Sequence, residues 1–296
     1  MNADYHVPVL LQRSIDELLT SNAGTYLDAT YGGGGHGREI LQRLTPNGRL
    51  LAFDQDKDAQ TNQIADERLT LIPANFRYAD RFLKYLGVEQ LDGLLADLGV
   101  SSHQFDELGR GFSFRGDASL DMRMNQSQQS TAADVLATYS KERLWKMFSD
   151  YGQVRNAKTL ASCIVEERMR RPISTVPDLL EITHRITRGN PARYLAQVFQ
   201  AIRIEVNDEM GALRKLLQTS AKVLKPGGRL VVLTYHSVED RLVKHFMKTG
   251  RIDPDEDLDK PSPFEVVTRK PVIPDEKEVS QNRRASSAKL RVAQKR

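Results

Sequence analysis

Residues 32–37 hold five glycines in six positions: Gly32, Gly33, Gly34, Gly35 and Gly37, interrupted only by His36. Glycine is needed where a backbone must take a positive φ, or approach a ligand with no Cβ in the way. If a helix starts at the end of this loop, its free N–H groups and partial positive charge favour an anionic ligand group there. Gly32, Gly34 and Gly37 satisfy G-x-G-x-x-G in letter, and Asp54 lies 17 residues beyond the last of them. That is a dinucleotide fingerprint in form, but so dense a glycine run matches many patterns and carries little weight alone. Asp28 stands just before the loop, where a carboxylate can orient it or accept from an ammonium group. Asp54 is placed to chelate ribose hydroxyls. Nicotinamide dinucleotides and S-adenosylmethionine both present such a ribose, so Asp54 does not choose between them. Asp97 opens the polar run Asp97-Leu98-Gly99-Val100-Ser101-Ser102, with Gln104 close behind. An acid or amide there can accept from a target amino group and align it.

Strand ends are needed to hold these side chains. Thr25–Thr30, Arg49–Asp54, Leu69–Pro73 and Leu91–Asp97 read as short apolar strands, with helices expected between them at Lys57–Ala65 and Tyr78–Leu86. Leu11, Ile15, Leu18 and Leu19 recur at helical spacing before the first strand. Short apolar strands separated by helices imply an α/β fold with a parallel sheet covered on both faces. The rhythm breaks over residues 105–130, which are irregular, and Thr131 to about Arg203 reads as helix after helix. A tight turn at Lys225-Pro226-Gly227-Gly228 then leads into a buried strand, Arg229–Tyr235, and Phe264–Thr268 and Lys289–Val292 are candidate last strands. The economical reading is one sheet domain, residues 1–105 and 200–296, interrupted at 106–199 by an irregular linker and a helical insertion. Asp28, Asp54, Asp97 and His236 then share the carboxyl edge of the sheet, where α/β folds do their chemistry.

The chain has 296 residues, 40% hydrophobic and 28% charged, a globular balance. The single cysteine, Cys163, excludes an internal disulfide framework and a cysteine-rich zinc site, and the six histidines show no ligand spacing, so no metal is expected. No apolar run approaches the roughly 18 residues of a membrane span, and Met1–Pro8 lacks signal-peptide character, so a cytoplasmic protein without membrane contact is expected. The net charge is only +4, yet it is concentrated. Gln281–Arg296 carries six basic residues and no acid, and Lys141–Arg193 carries eleven basic against six acidic. A charge run is more often a solvated face than a site. Two such regions in one chain nevertheless point toward a nucleic-acid partner, with the insertion and the tail as candidates for phosphate contact.

Several long segments carry a resemblance. HVPVLL (His6–Leu11), DATYGGGGHG (Asp28–Gly37), AFDQD (Ala52–Asp56), DLGVSSHQFD (Asp97–Asp106), RGFSFRGDASLDMRM (Arg110–Met124), FQAIRIEVNDEM (Phe199–Met210), LKPGGRL (Leu224–Leu230) and YHSVEDRLVKHFM (Tyr235–Met247) resemble the bacterial 16S rRNA cytosine-N4 methyltransferases of the MraW family. These blocks span nearly the whole chain. Gly37 departs from the serine usual after the loop histidine, and Asn190–Leu195 departs from the family's usual lead into the FQAIRI block.

The resemblance implies a Rossmann-like class I methyltransferase core with an inserted helical domain. It implies S-adenosylmethionine as cofactor, and as substrate the N4 amine of a cytidine in 16S rRNA of the small subunit, in the decoding region near the P site. Carried over by motif, the cofactor contacts are Gly34, Gly35, His36, Asp54, Phe76, Asp97 and Gln104, and a homodimer is left open. For catalysis, Asp97, or a hydroxyl or carbonyl in Leu98–Ser102 (Ser101 and Ser102 supply the hydroxyls), is expected to accept from the target amine. An aromatic residue to stack on the base is sought at Phe112, Phe114 or Tyr235. Two other readings stay open: a nicotinamide-dependent oxidoreductase, on the glycine fingerprint, and a non-catalytic RNA-binding protein, on the basic regions.

Overall fold

The computed structural model describes residues 8–100, 108–253 and 261–296, and its strands stand where the short apolar runs are. They are β1 (Thr25–Asp28), β2 (Arg49–Phe53), β3 (Leu69–Ile72), β4 (Leu91–Asp97), β5 (Leu224–Thr234), β6 (Phe264–Val266) and β7 (Lys289–Lys295). All join one seven-stranded sheet in the order β3-β2-β1-β4-β5-β7-β6. Neighbours from β3 to β5 are parallel, and β7 runs antiparallel to β5 and β6. The order turns back at β1, whose neighbours are β2 on one side and β4 on the other. This is a topological switch point, the place where open α/β sheets bind ligands. The fold is Rossmann-like.

Continuous apolar runs fit strands buried on both faces. Tyr26, Leu27, Leu50, Leu51, Leu94 and Leu95 are fully buried, and burying each such leucine contributes roughly 1.5–3 kcal/mol. Flanking helices are α1 (Leu11–Leu18), α2 (Gly35–Arg43), α3 (Lys57–Gln60) and α4 (Ala79–Tyr85). The helix expected over Lys57–Ala65 stops at Gln60. The Ile64 N–H, which a continuing helix would send to Gln60, instead donates to the Tyr31 hydroxyl at 3.1 Å.

Contacts gather the chain into two units, residues 1–99 with 210–296, and residues 100–209. The second unit contains α5 (Ala132–Thr138), α6 (Lys141–Asp150), α7 (Ala157–Arg168), α8 (Val176–Ile186) and α9 (Pro191–Asn207). Their starts are written in the sequence. Thr131 with Asp134 and Thr175 with Asp178 form capping boxes, Ser140 and Asn190 cap by side chain, and Pro191 opens α9. Leu136, Phe148, Leu160, Ile164, Leu179 and Ile202 form its core. The Asp121–Met124 segment is an internal anchor: Asp121 pairs with Arg123 at 2.7 Å. The Asn207 amide accepts from Met124 N at 2.7 Å and donates to the Met122 carbonyl at 2.8 Å.

The remaining helices, α10 (Glu209–Val223), α11 (Ser237–Thr249) and α12 (Glu276–Gln281), lead into and follow β5. Much of the basic C-terminal run is built into the sheet as β7, with Leu290, Arg291, Val292 and Ala293 buried. Arg291 tolerates burial because its guanidinium donates twice to the Asp240 carboxylate, at 2.6 and 3.2 Å.

Candidate functional site

Strand register brings the acids together. Asp28 pairs across β1 with Ala52 of β2 and Leu95 of β4. Asp54 and Asp97 lie two residues further along the two flanking strands, and side-chain direction repeats every second residue. Thus Asp54 and Asp97 stand above Asp28 on the same face, on opposite sides of β1.

The glycine loop crosses this edge. Gly32 and Gly34 take φ of +52° and +74°, and α2 begins at Gly35. Asp54 braces the loop: its Oδ2 accepts from Gly32 N at 2.8 Å and its Oδ1 from Asp56 N at 2.8 Å. A carboxylate has about four acceptor sites, so Asp54 keeps capacity for a ligand hydroxyl. Tyr31, buried beneath the loop, donates its hydroxyl to the Asn62 carbonyl at 3.1 Å. A Cβ on Gly34 would lie 2.8 Å from that hydroxyl oxygen. Gly34→Ala therefore combines a left-handed backbone with a clash, and is expected to cost about 1–2 kcal/mol, read as a lower urea midpoint. An unchanged midpoint would contradict this account of the loop.

Asp97 is held from two sides. Tyr235, just after β5, donates its hydroxyl to Asp97 Oδ1 at 2.7 Å, and the Asp97 N–H donates to Thr30 Oγ1 at 2.7 Å. Its side chain remains 21% exposed. His36 Nδ1 lies 3.9 Å from Asp97 Oδ2, too far for a hydrogen bond. Burial lowers the His36 pKa to about 4, so at neutral pH the ring is uncharged and the two do not form an ion pair. His36 Nε2 and Asp28 Oδ2 are buried with no hydrogen-bond partner among the described residues. Orphaned polar atoms beside a glycine cradle fit a site for a polar ligand with hydroxyl and amine groups.

Phe76 is half-buried and opens a short turn after β3. The preceding Asn75 donates to Gln55 Oε1 at 3.0 Å, tying that turn to the neighbour of Asp54. Gly34, Gly35, His36, Asp54 and Asp97 are thus brought to one edge, with the Phe76 turn linked to it. Ser101, Ser102 and Gln104 lie outside the described residues. Phe112 is buried in the helical unit's core, and Phe114 packs edge-on against Phe199 at 5.9 Å, so both rings are committed within that unit. His236 caps α11, its Nδ1 accepting from Glu239 N at 3.4 Å. Sequence reasoning missed Thr30 and the brace supplied by Tyr31; the buried positions either side of the glycines were the available signal.

Burial dominates the acids' titration. It raises Asp28 and Asp97 to about 7, and Asp54 to about 6. The folded chain keeps these protons to near neutrality, whereas the unfolded chain releases them near pH 4. The folded state therefore binds more protons in between, and stability falls as pH rises from about 4 to 7. For Asp28, a rise from 3.8 to about 7 corresponds to at most ~4 kcal/mol. Asp28→Asn should flatten that share of the slope in urea unfolding across this window. A wild-type profile already flat there would contradict the burial argument.

Residues 3–296 match the MraW methylase family. The chain belongs to the MraW methylase family. It is 51% identical over 296 residues to the ribosomal RNA small subunit methyltransferase H of Bacteroides thetaiotaomicron, covering 98% of this chain and 97% of that one. The same-named protein of Flavobacterium johnsoniae is 50% identical, covering 99% and 98%. Among solved structures, Aeropyrum pernix fibrillarin with natively bound S-adenosyl-L-methionine aligns at TM-score 0.42 and 9% identity, covering 96% of this chain and 73% of that one. The fold assignment rests on the strand order and switch point above. No helix among the described residues is long and apolar enough to cross a membrane.

Proposed function

We propose that this MraW-family methyltransferase moves a methyl group from S-adenosylmethionine to the exocyclic N4 amine of a cytidine in 16S rRNA of the small subunit, in the decoding region near the P site. The observation that carries the reading is Asp97, fixed by Tyr235 and Thr30 at the switch point, one strand away from the glycine loop and two from the loop's brace Asp54. The 16S cytidine itself rests on the motif blocks shared with the family.

Gly34, Gly35 and His36 line the donor's cradle, Asp54 accepts from its ribose hydroxyls, and the Phe76 turn closes the Asp54 side. When bound, the donor supplies an electrophilic methyl on a positively charged sulfur. The N4 lone pair of cytosine is delocalised into the ring, so the amine must be polarised and turned before it attacks. Asp97 accepts a hydrogen bond from that amine and fixes its direction. As the N4–carbon bond forms and the carbon–sulfur bond breaks, N4 loses a proton, which Asp97 receives.

Tyr235 positions this carboxylate. Its hydrogen bond stabilises the charged form, so Tyr235→Phe raises the Asp97 pKa above about 7 and moves the rising limb of the kcat–pH profile to higher pH, by roughly one unit. Turnover should fall most on the acid side and recover at alkaline pH, with the donor's KM little changed. A uniform loss at every pH would contradict the positioning role.

Mass spectrometry of 16S rRNA from a strain lacking this protein tests the substrate. Loss of a methyl from one cytidine near the P site is expected, and an unchanged methylation map would refute the proposal. Calorimetric titration separates the oxidoreductase reading: S-adenosylhomocysteine should bind and NADH should not.

A further inference from the structure

A cavity of about 320 Å³ opens at the same edge of the sheet, lined by Tyr235, His236 and Ser237 after β5, by Ser286 and Ser287 before β7, and by Lys289, the first residue of β7. None of these is given a part in binding the donor. Its volume is in the range of small-molecule sites. Ile273, Pro274 and Ala288 add apolar wall, so apolar surface and several hydrogen-bonding groups line one space.

Charge narrows the occupant. Lys289 Nζ lies 3.2 Å from Asp240 Oδ2, and Arg291 is bound to the same carboxylate. Glu239 accepts from Tyr235 N at 3.1 Å and lies 3.0 Å from His236 Nε2. The cations here already face acids, and the first turn of α11 carries its own carboxylates, so the space suits a neutral aromatic ligand with polar edges better than a phosphate. Nucleobases have that character: a face that stacks and an edge that hydrogen-bonds.

Placement narrows it further. The donor's cradle lies over β1 and β2, Asp97 ends β4, and the cavity begins at β5 and reaches β7. Strands are spaced about 4.8 Å apart, so the cavity starts one strand beyond Asp97, within one nucleotide's reach. We infer that this cavity seats the unpaired nucleoside adjoining the methylated cytidine, with Tyr235 dividing the two subsites. The inference rests on the rRNA reading above. It makes the cavity a determinant of which cytidine is presented, and it gives Ser286, Ser287 and Lys289 a role in choosing the RNA.

Small ribosomal subunits reconstituted with an abasic ribose immediately before or after the methylated nucleotide test it, using the full chain at saturating donor. One of the two abasic substrates should raise the wild-type KM for subunits about tenfold, since losing one stacked base commonly costs that much. Ser287→Trp, placed at an exposed position to fill the cavity, should raise KM on intact subunits similarly while S-adenosylhomocysteine affinity is retained. The sensitive abasic site should then have no further effect on this variant. Unchanged KM with both abasic substrates, or wild-type KM in Ser287→Trp, overturns the inference while leaving the methyltransferase reading intact. Failure of the wild type to methylate unmodified subunits overturns the substrate reading, and the inference with it.

Discussion

Asp97→Asn is expected to lower turnover about 100-fold or more at saturating donor, the usual scale for losing a positioned proton acceptor. Asparagine keeps an amide oxygen where Tyr235 now donates at 2.7 Å, so the side chain stays in place. What disappears is the charge that polarises the amine and the site that receives its proton. Measuring kcat with the donor saturating removes any share of the loss that comes from weaker donor binding. Near-normal turnover would mean that another acceptor aligns N4, and the assignment of Asp97 would fail.

Asp54→Ala should weaken S-adenosylhomocysteine binding by roughly 10- to 100-fold, as expected for losing charge-assisted hydrogen bonds. Two losses combine. The ribose hydroxyls lose their acceptor, and Gly32 N and Asp56 N lose the oxygens that accept from them at 2.8 Å. Asp54→Asn separates the two effects, because its one carbonyl oxygen can still accept from one of those N–H groups. Its affinity should fall between wild type and the alanine variant. Binding of RNA by the donor-free protein should be unaffected by either change, and calorimetry with each ligand reads the difference.

The parallel sheet was legible because interior strands leave little choice of residue: LLAF and LDGLLAD read as strands before any pairing is known. Asp28, Asp54 and Asp97 were legible for the complementary reason, since an acid ending an apolar run is conspicuous. Tyr31 and Tyr235 were not. Their hydroxyls meet partners 31 and 138 residues away in the chain, and nothing local distinguishes a tyrosine that braces a carboxylate from one that stacks on a base. The basic tail carries two readings at once. Its charge offers it for phosphate contact and Lys289–Val292 reads as a strand, but Asp240, the partner 51 residues earlier that lets Arg291 sit inside that strand, leaves no local signal. The short α3 belongs with these cases: Lys57–Ala65 has helical composition, and a distant hydroxyl takes the N–H that would have extended it. Pairings across long sequence separations, more than propensities, account for what the sequence left hidden.

The arrangement of donor, Asp97 and target underlies every expectation above, and a crystal structure of the protein with S-adenosylhomocysteine tests it most directly. The ribose hydroxyls should lie on Asp54, the backbone of Gly34–His36 against the ligand, and the sulfur should turn toward Asp97. A ligand bound away from the carboxyl edge of β1, β2 and β4, or one whose sulfur faces away from Asp97, would contradict it.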